Sequence, residues 1–598
     1  MLRTRNCLTA AALIFSSASL MAQEASDAVA PEAGTGETTI VTSPEIRDAI
    51  RAKLAGKPVE AKKWMVAAAN PLAAEAGAKI LRNEGSAADA MVAVQAVLGL
   101  VEPQSSGLGG GAFLVWYDAA SGNITTLDGR ETAPLEATPT LFQDENGEPL
   151  AFFDAVVGGR SVGTPGTPML MVEAHKRWGK SDWAELFDDA ITLADKGFPV
   201  STRLASLIAD DAERLSRFET TASYFLPGGE PLKEGVRLQN PDYADTLRAF
   251  ARGGSSAFYS GAIAEAIVRT VRNAPGNPGV LSMKDLETYA IKARPAVCAD
   301  FRGHDVCGMG PPSSGALTVG QILGLVDRFP LDAIAPDDPQ AWRLIGDASR
   351  LAFADRGRYM ADSDFVPVPV KGLLDDAYLD ERARLLDGDD ALPEVMPGEP
   401  AYDHALNLAD DVSIELPSTS HISIVDAEGN VLSMTTTVEN GFGSRLMTNG
   451  FLLNNELTDF SFKTHSDGWP IANRVEPGKR PRSSMSPTIV LRDGKPVLAI
   501  GAPGGSRIIG YVAQTIIAHL AWGMDIQEAI DMPHRVNRFG TYDLEEGTDA
   551  VEMQDALEEI GFEVNVRDLN SGLHGIAITP DGLQGGADPR REGIALGE

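Results

Sequence analysis

The chain has 598 residues, a mean hydropathy of −0.08 and a formal net charge of −33. That length excludes a single small core and requires one large layered domain or several smaller ones. The charge excludes nucleic acid and anionic membrane surfaces as partners, because the long-range field repels both, and it carries no positive statement about a substrate.

Arg3 and Arg5, then a short apolar stretch ending in Leu20-Met21-Ala22, have the layout of a secretory signal peptide, residues 1–22, cleaved after Ala22. The expected product is exported, periplasmic or secreted. It has no membrane anchor, since no apolar stretch approaches the length of a spanning helix. Residues 23–60, rich in Ala, Glu, Thr and Pro, read as a loose leader. Asn70 and Pro71 then open a helix predicted to run to about Arg82, Gly85 ends it, and Ser86 caps an Ala/Val-rich helix through Leu100. Small residues on every face of that second helix predict burial between layers.

The segment GLGGGAF, 107–113, contains G-x-G-x-x-A, yet a strand follows it where a dinucleotide fingerprint requires a helix. Its glycines are expected to serve close backbone packing, and the strand to return through a hairpin at Ser121–Gly122–Asn123. Residues 165 to about 386 carry mainly helical spacing. Within them Cys298 and Cys307 bracket an alternating ADFRGHDV segment. An oxidising compartment permits a bridge there, and two free buried thiols are the alternative. No Cys/His cluster of metal spacing occurs, so no metal site is indicated.

From about Asp387 to Ser418 the chain is rich in Asp, Glu and Pro without periodicity, and reads as an exposed linker. Beyond it HISIVD, AEGN and VLSMTTTV form a strand, a turn and a strand. Further strands lie in SPTIVLRDGKPVLAIG and GIAITPDGL, with helices over 506–523 and 549–561. The mixture is α+β, with sheets sandwiched between helical layers.

The junction Pro417-Ser418-Thr419-Ser420 admits two readings. One is a polar turn entering a strand. The other is a cleavage point that makes Thr419 a new N-terminus, whose free α-amine, with a pKa of roughly 8, takes the proton from its own hydroxyl. If Asp426 and Val431 flank a four-residue turn, Thr437 comes opposite Ser420 and beside Thr419, near enough to hydrogen-bond it.

TSHISIVDAEGN from Thr419, FLLNNELTDF at 451–460, GKRPRSSMSPTIV at 478–490 and GAPGGSRI at 501–508, with GLGGGAF and LDGRETAP upstream, resemble the γ-glutamyltransferases, or glutathione hydrolases. The similarity runs from about residue 65 to the C-terminus, in family order. It implies the N-terminal-nucleophile hydrolase fold, a four-layer αββα sandwich, matured by self-cleavage between Ser418 and Thr419. A large subunit, 61–418, would then pair with a small catalytic subunit, 419–598. Thr419 is implied to attack the γ-amide of glutathione and related γ-glutamyl compounds. The resulting ester is resolved by water or by an acceptor amino acid or peptide, and no cofactor takes part.

The same resemblance distributes roles. Arg130 clamps the substrate carboxylate, with Ser483 and Ser484 adding hydrogen bonds. Asp459, helped by Glu456 and Glu439, takes the ammonium. Thr437 bonds the nucleophile, and the amides of Gly504 and Gly505 face the oxyanion at a helix terminus. Taken singly, Arg130 with Glu131 reads as a surface ion pair, the serines as turn residues and the glycines as a strand-to-helix turn. Three features depart from the family pattern. Glu439 stands where many members have Asn, Arg482 stands where Leu is common, and 461–478 holds no tyrosine of the kind that covers the substrate in some relatives. The rivals are a glutaryl- or cephalosporin acylase of the same fold, which needs no ammonium site, and an exported solute-binding protein, which leaves the Thr419 arrangement unexplained.

Overall fold

A computed structural model of the protein describes residues 43–404, 407–411, 413 and 418–598. The signal reading, 1–22, and the leader as far as residue 42 lie outside the described residues. From residue 43 the expectation of a loose leader fails, because Pro44–Leu54 is a helix and Val59–Ala61 a strand. Ser43 caps the helix by accepting from Ile46 N, Pro44 occupies its first turn, and Ile46, Ala49 and Lys53 are buried. Composition alone hid this helix, since its buried face is only those three side chains wide.

Two seven-stranded sheets carry the molecule. One runs Ile594–Gly597, Met65–Ala68, Ser420–Val425, Val431–Thr437, Gly111–Asp118, Asn123–Gly129, Lys292–Arg294. The other runs Val59–Ala61, Gly582–Ala587, His574–Thr579, Lys495–Gly501, Thr488–Arg492, His304–Gly308, Val297–Phe301. Their facing sides pack Met65, Val115, Val425 and Val431 against Ile489, Ala499 and Ile576. Helices cover the outer faces: Pro71–Arg82, Ala87–Val101 and Thr167–Trp178 on the first sheet, Gly315–Val326 and Ile508–Leu520 on the second, with Pro241–Tyr259 and Pro339–Tyr359 packed outside them. This is the αββα layering that the resemblance implied. Helix Ala87–Val101 is buried along its whole length, as its small residues predicted, and Ser86 and Asp89 close its N-terminus in a capping box.

The helical run from 165 is interrupted at its middle by the hairpin Val297–Phe301/His304–Gly308, in which Cys298 pairs with Cys307 and a disulfide joins them. No described residue between 387 and 418 lies in a helix or strand, but the linker is exposed only in part. Leu408, Ala409, Asp411 and Ser418 are buried. No described helix is long and apolar enough to cross a membrane.

The register of the 420–437 hairpin differs from the expected one. Ser420 pairs with Thr436, which brings Thr437 level with Thr419. The turn is one residue tighter than expected: Asp426 N donates to Asn430 O at 3.1 Å, Gly429 N donates to Asp426 O at 3.0 Å, and Gly429 has φ +83°. The Asp426 carboxylate drives this tightening by accepting from the amides of Glu428 and Asn430, a bond pattern only a short polar side chain makes. The glycine supplies the left-handed residue.

Candidate active site

A small cavity lies at the open end of this hairpin, lined by Thr419, Thr437, Glu439, Glu456, Asp459, Arg130, Ser483, Ser484 and Gly505, with Met485 and Ile508. Arg130, from the first quarter of the sequence, thus meets residues from the last third in one place.

Thr419 immediately precedes its strand with φ +137°, a region that a β-branched residue rarely occupies. Its Oγ1 is 3.2 Å from Thr437 Oγ1, which also accepts from Glu439 N at 2.9 Å. With that amide on one lone pair, the Thr437 proton is available to point at the Thr419 oxygen. Glu439 has φ +78°, and its carboxylate accepts from Asn455 Nδ2. Behind the nucleophile, Arg591 Nη1 donates to Thr419 O at 3.2 Å, and Ser420 Oγ donates to Glu102 Oε2 at 2.9 Å. Burial pushes the Glu102 carboxyl up to about 8 against the pull of Arg591. Ser418 is buried beside the cavity, where its Oγ donates to Gln104 O at 3.0 Å.

Arg130 follows the strand Asn123–Gly129 and is 1% exposed. Its Nε donates to Pro481 O at 3.2 Å, and its Nη2 donates to Arg482 O at 2.7 Å and Asp459 Oδ2 at 2.5 Å. Its Nη1 pairs with Glu456. The surface pair with Glu131 does not exist. Glu131 is itself buried, and burial holds its carboxyl at about 8 despite Arg130. The arginine and the acids that the sequence reading assigned to opposite poles of a zwitterion are here paired with one another.

Ser483 Oγ accepts from Met485 N at 3.1 Å, and Ser484 Oγ accepts from Arg356 Nη2 at 2.8 Å. Accepting an N–H turns each hydroxyl proton away from that donor and leaves it able to donate elsewhere. Arg356, on helix Pro339–Tyr359, also donates through Nε to Ser314 Oγ at 2.8 Å, and Ser314 Oγ donates to Ser483 O at 2.7 Å. Gly505 lines the cavity with φ +59°. Gly504, at φ +135°, does not line it, and a Cβ there would come within 2.8 Å of the Tyr511 ring. The glycine pair thus serves the sharp turn between strand Lys495–Gly501 and the helix, which begins as a single turn at Gly505–Arg507 before Ile508.

Sequence reasoning did not find Arg356, Asn455, Arg591, Met485 or Ile508. Arg356 sits in an ordinary amphipathic helix and Arg591 in a charged tail, and neither carries a local signal. Asn455 lies inside a quoted motif and was passed over because its work is to hold Glu439.

Residues 73–598 match the gamma-glutamyltranspeptidase family. The chain belongs to that family. The glutathione hydrolase proenzyme of Bacillus subtilis (strain 168) is 39% identical over 549 residues, spanning 90% of this chain and 92% of that protein. Among solved structures, cephalosporin acylase from Bacillus halodurans superposes with a TM-score of 0.80 at 26% identity, covering 91% of this chain and 97% of that one. The gamma-glutamyltranspeptidase of Helicobacter pylori gives a TM-score of 0.54 at 33% identity, covering 56% of this chain and 96% of that one. Acylase and transpeptidase share the fold, so the choice of substrate within the gamma-glutamyltranspeptidase family falls to the site.

Proposed function

We propose that the protein is a γ-glutamyltransferase and glutathione hydrolase that cuts itself between Ser418 and Thr419. Residues 61–418 become the large subunit and 419–598 the small catalytic one. The observation that carries this reading is the hydroxyl pair of Thr419 and Thr437, in one cavity with Arg130, Glu456 and Asp459. In the first step Thr419 Oγ1 attacks the carbonyl carbon of Ser418, the amide nitrogen leaves, and water hydrolyses the ester. The +137° torsion at Thr419 supports a cut here. That torsion includes the carbonyl carbon of Ser418, so breaking the bond abolishes it and releases a strain of roughly 1–3 kcal/mol.

The freed amine then serves as base for its own hydroxyl. Thr419 Oγ1 attacks the γ-carbonyl of glutathione or a related γ-glutamyl compound, the amine departs with the proton, and a γ-glutamyl ester remains. Water or an acceptor amino acid or peptide resolves it. The Gly505 amide and the terminus of helix Ile508–Leu520 favour the negative charge on the tetrahedral oxygen. The substrate carboxylate takes Arg130 and the serine pair, and its ammonium takes Asp459, Glu456 and Glu439. These three acids favour an amino-acid donor over the glutaryl group of an acylase. The signal-like residues 1–22 support export to the periplasm or beyond.

A denaturing gel with N-terminal sequencing tests this. Two bands are expected, the smaller starting Thr-Ser-His, and Thr419→Ala should give one uncut band that releases nothing from γ-glutamyl-p-nitroanilide. Cleavage at this bond in the alanine variant, or faster turnover of a glutaryl amide than of the γ-glutamyl one, would sink the reading.

A further inference from the structure

Arg482 is buried at 1% exposure although it carries a charge, and it lies one residue before the serine pair. Its Nη2 is 3.1 Å from Asp411 Oδ2 and donates to Ser413 Oγ at 2.9 Å. Both partners belong to the linker upstream of the cut. Asn473, also buried, closes the arrangement. Its Nδ2 donates to Asp411 Oδ2 at 3.1 Å and to Asp459 O at 2.7 Å, and its Oδ1 accepts from Arg482 N at 2.9 Å. The main chain of Arg482 accepts from Arg130 Nη2 at 2.7 Å. Beside this pair the linker meets both halves of the chain: Ala409 N donates to Pro470 O beyond the cut, while Asp411 N donates to Gly357 O on helix Pro339–Tyr359, each at 3.0 Å, and Arg358 Nε on that helix bonds Asp410 Oδ1 at 2.8 Å.

We propose that Asp411 and Arg482 form an intersubunit clamp that survives cleavage. It keeps the linker residues 409–411 seated on the small subunit and, through Asn473 and the Arg482 main chain, positions Asp459 and Arg130 for the donor. The proposal rests on the cut between Ser418 and Thr419, which assigns Asp411 to one subunit and Arg482 and Asn473 to the other. Two charges buried together hold each other strongly, because loss of either leaves the other unpaired in a medium of low dielectric. None of the three residues lines the cavity, so they act through Asp459 and Arg130 rather than on the substrate.

Hydrogen exchange read by mass spectrometry on the cleaved wild-type protein, with the gel run first, tests the clamp. The amide of Ala409, whose acceptor Pro470 O lies beyond the cut, should stay protected after cleavage. Asp411→Asn and Arg482→Leu should each raise KM for γ-glutamyl-p-nitroanilide about tenfold with kcat changed less than about twofold, and the double variant should be no worse than Arg482→Leu alone. Rapid exchange of the Ala409 amide in the cleaved wild type would overturn the clamp, as would single effects that add independently. The exchange measurement needs no variant, so it decides even where Arg482→Leu fails to fold. A single uncut wild-type band would overturn the cleavage reading itself, and the gel separates that result from failure of the clamp alone.

Discussion

Arg356 does not line the cavity but donates to Ser484, which does, and the strength of that link is open to measurement. Removing a charged donor from a hydrogen bond of this kind costs roughly 1.5–3 kcal/mol. Arg356→Gln should therefore raise the donor KM by roughly 10- to 100-fold while the chain still cuts, as initial rates on γ-glutamyl-p-nitroanilide will show. Thr437 belongs to the other side of the chemistry. Its hydroxyl lies 3.2 Å from Thr419 Oγ1, the oxygen that the proposed mechanism has attack, so Thr437→Val should lower kcat by roughly 10- to 100-fold and leave KM nearly unchanged. A rise in KM without loss of kcat would place Thr437 in binding instead. At this scale the family motifs exposed Arg130, Asp459 and the serines, all of which line the cavity. Arg356 and Arg591 stayed hidden, since each works on another side chain or a carbonyl distant in sequence.

The hairpin that carries the nucleophile shows how far local pattern reaches. Alternation correctly placed both strands, Ser420–Val425 and Val431–Thr437. It missed the register by one residue, because the Asp426 side chain tightens the turn in a way hydrophobic alternation does not record. Between the sheets, the same strand presents His421 to the backbone of Gly501. A Cβ on Gly501 would lie 2.3 Å from the imidazole, and the ring is already held by Thr435 and Ser423 at 2.9 and 3.0 Å. Gly501→Ala should thus overpack this interface by roughly 1–3 kcal/mol, seen as a Tm several degrees lower in a thermal melt. An unchanged Tm would mean that the two sheets slide apart at no cost.

For the whole molecule, buried titratable groups set the pH response. Glu102 and Glu131 have pKa values near 8 in the fold against 4.5 in the unfolded chain. A raised carboxyl contributes stability that is full below 4.5 and is lost as pH rises through 8. His421, His534 and His574 work oppositely. Burial holds each well below 6.5, so their contribution is present above 6.5 and lost as pH falls. Between pH 6.5 and 8 the two carboxyls therefore dominate these groups, at about 1.4 kcal/mol per pH unit each. Calorimetric Tm should fall across that window, and Glu102→Gln should remove about half of the fall. A Tm that climbs from pH 6.5 to 8 would contradict this assignment.

The α+β class, the buried Ala/Val helix, the hydroxyl-bearing junction before the catalytic strand and the family motifs were all written in the chain itself. Each depends on the type of a residue and its near neighbours. Three features were decided only when distant segments met: the pairing of Arg130 with Glu456 and Asp459, the support of Ser484 by Arg356, and the contact of Asp411 with Arg482. Desolvation and ion pairing between groups hundreds of positions apart depend on where the layers close, and no local pattern encodes that distance.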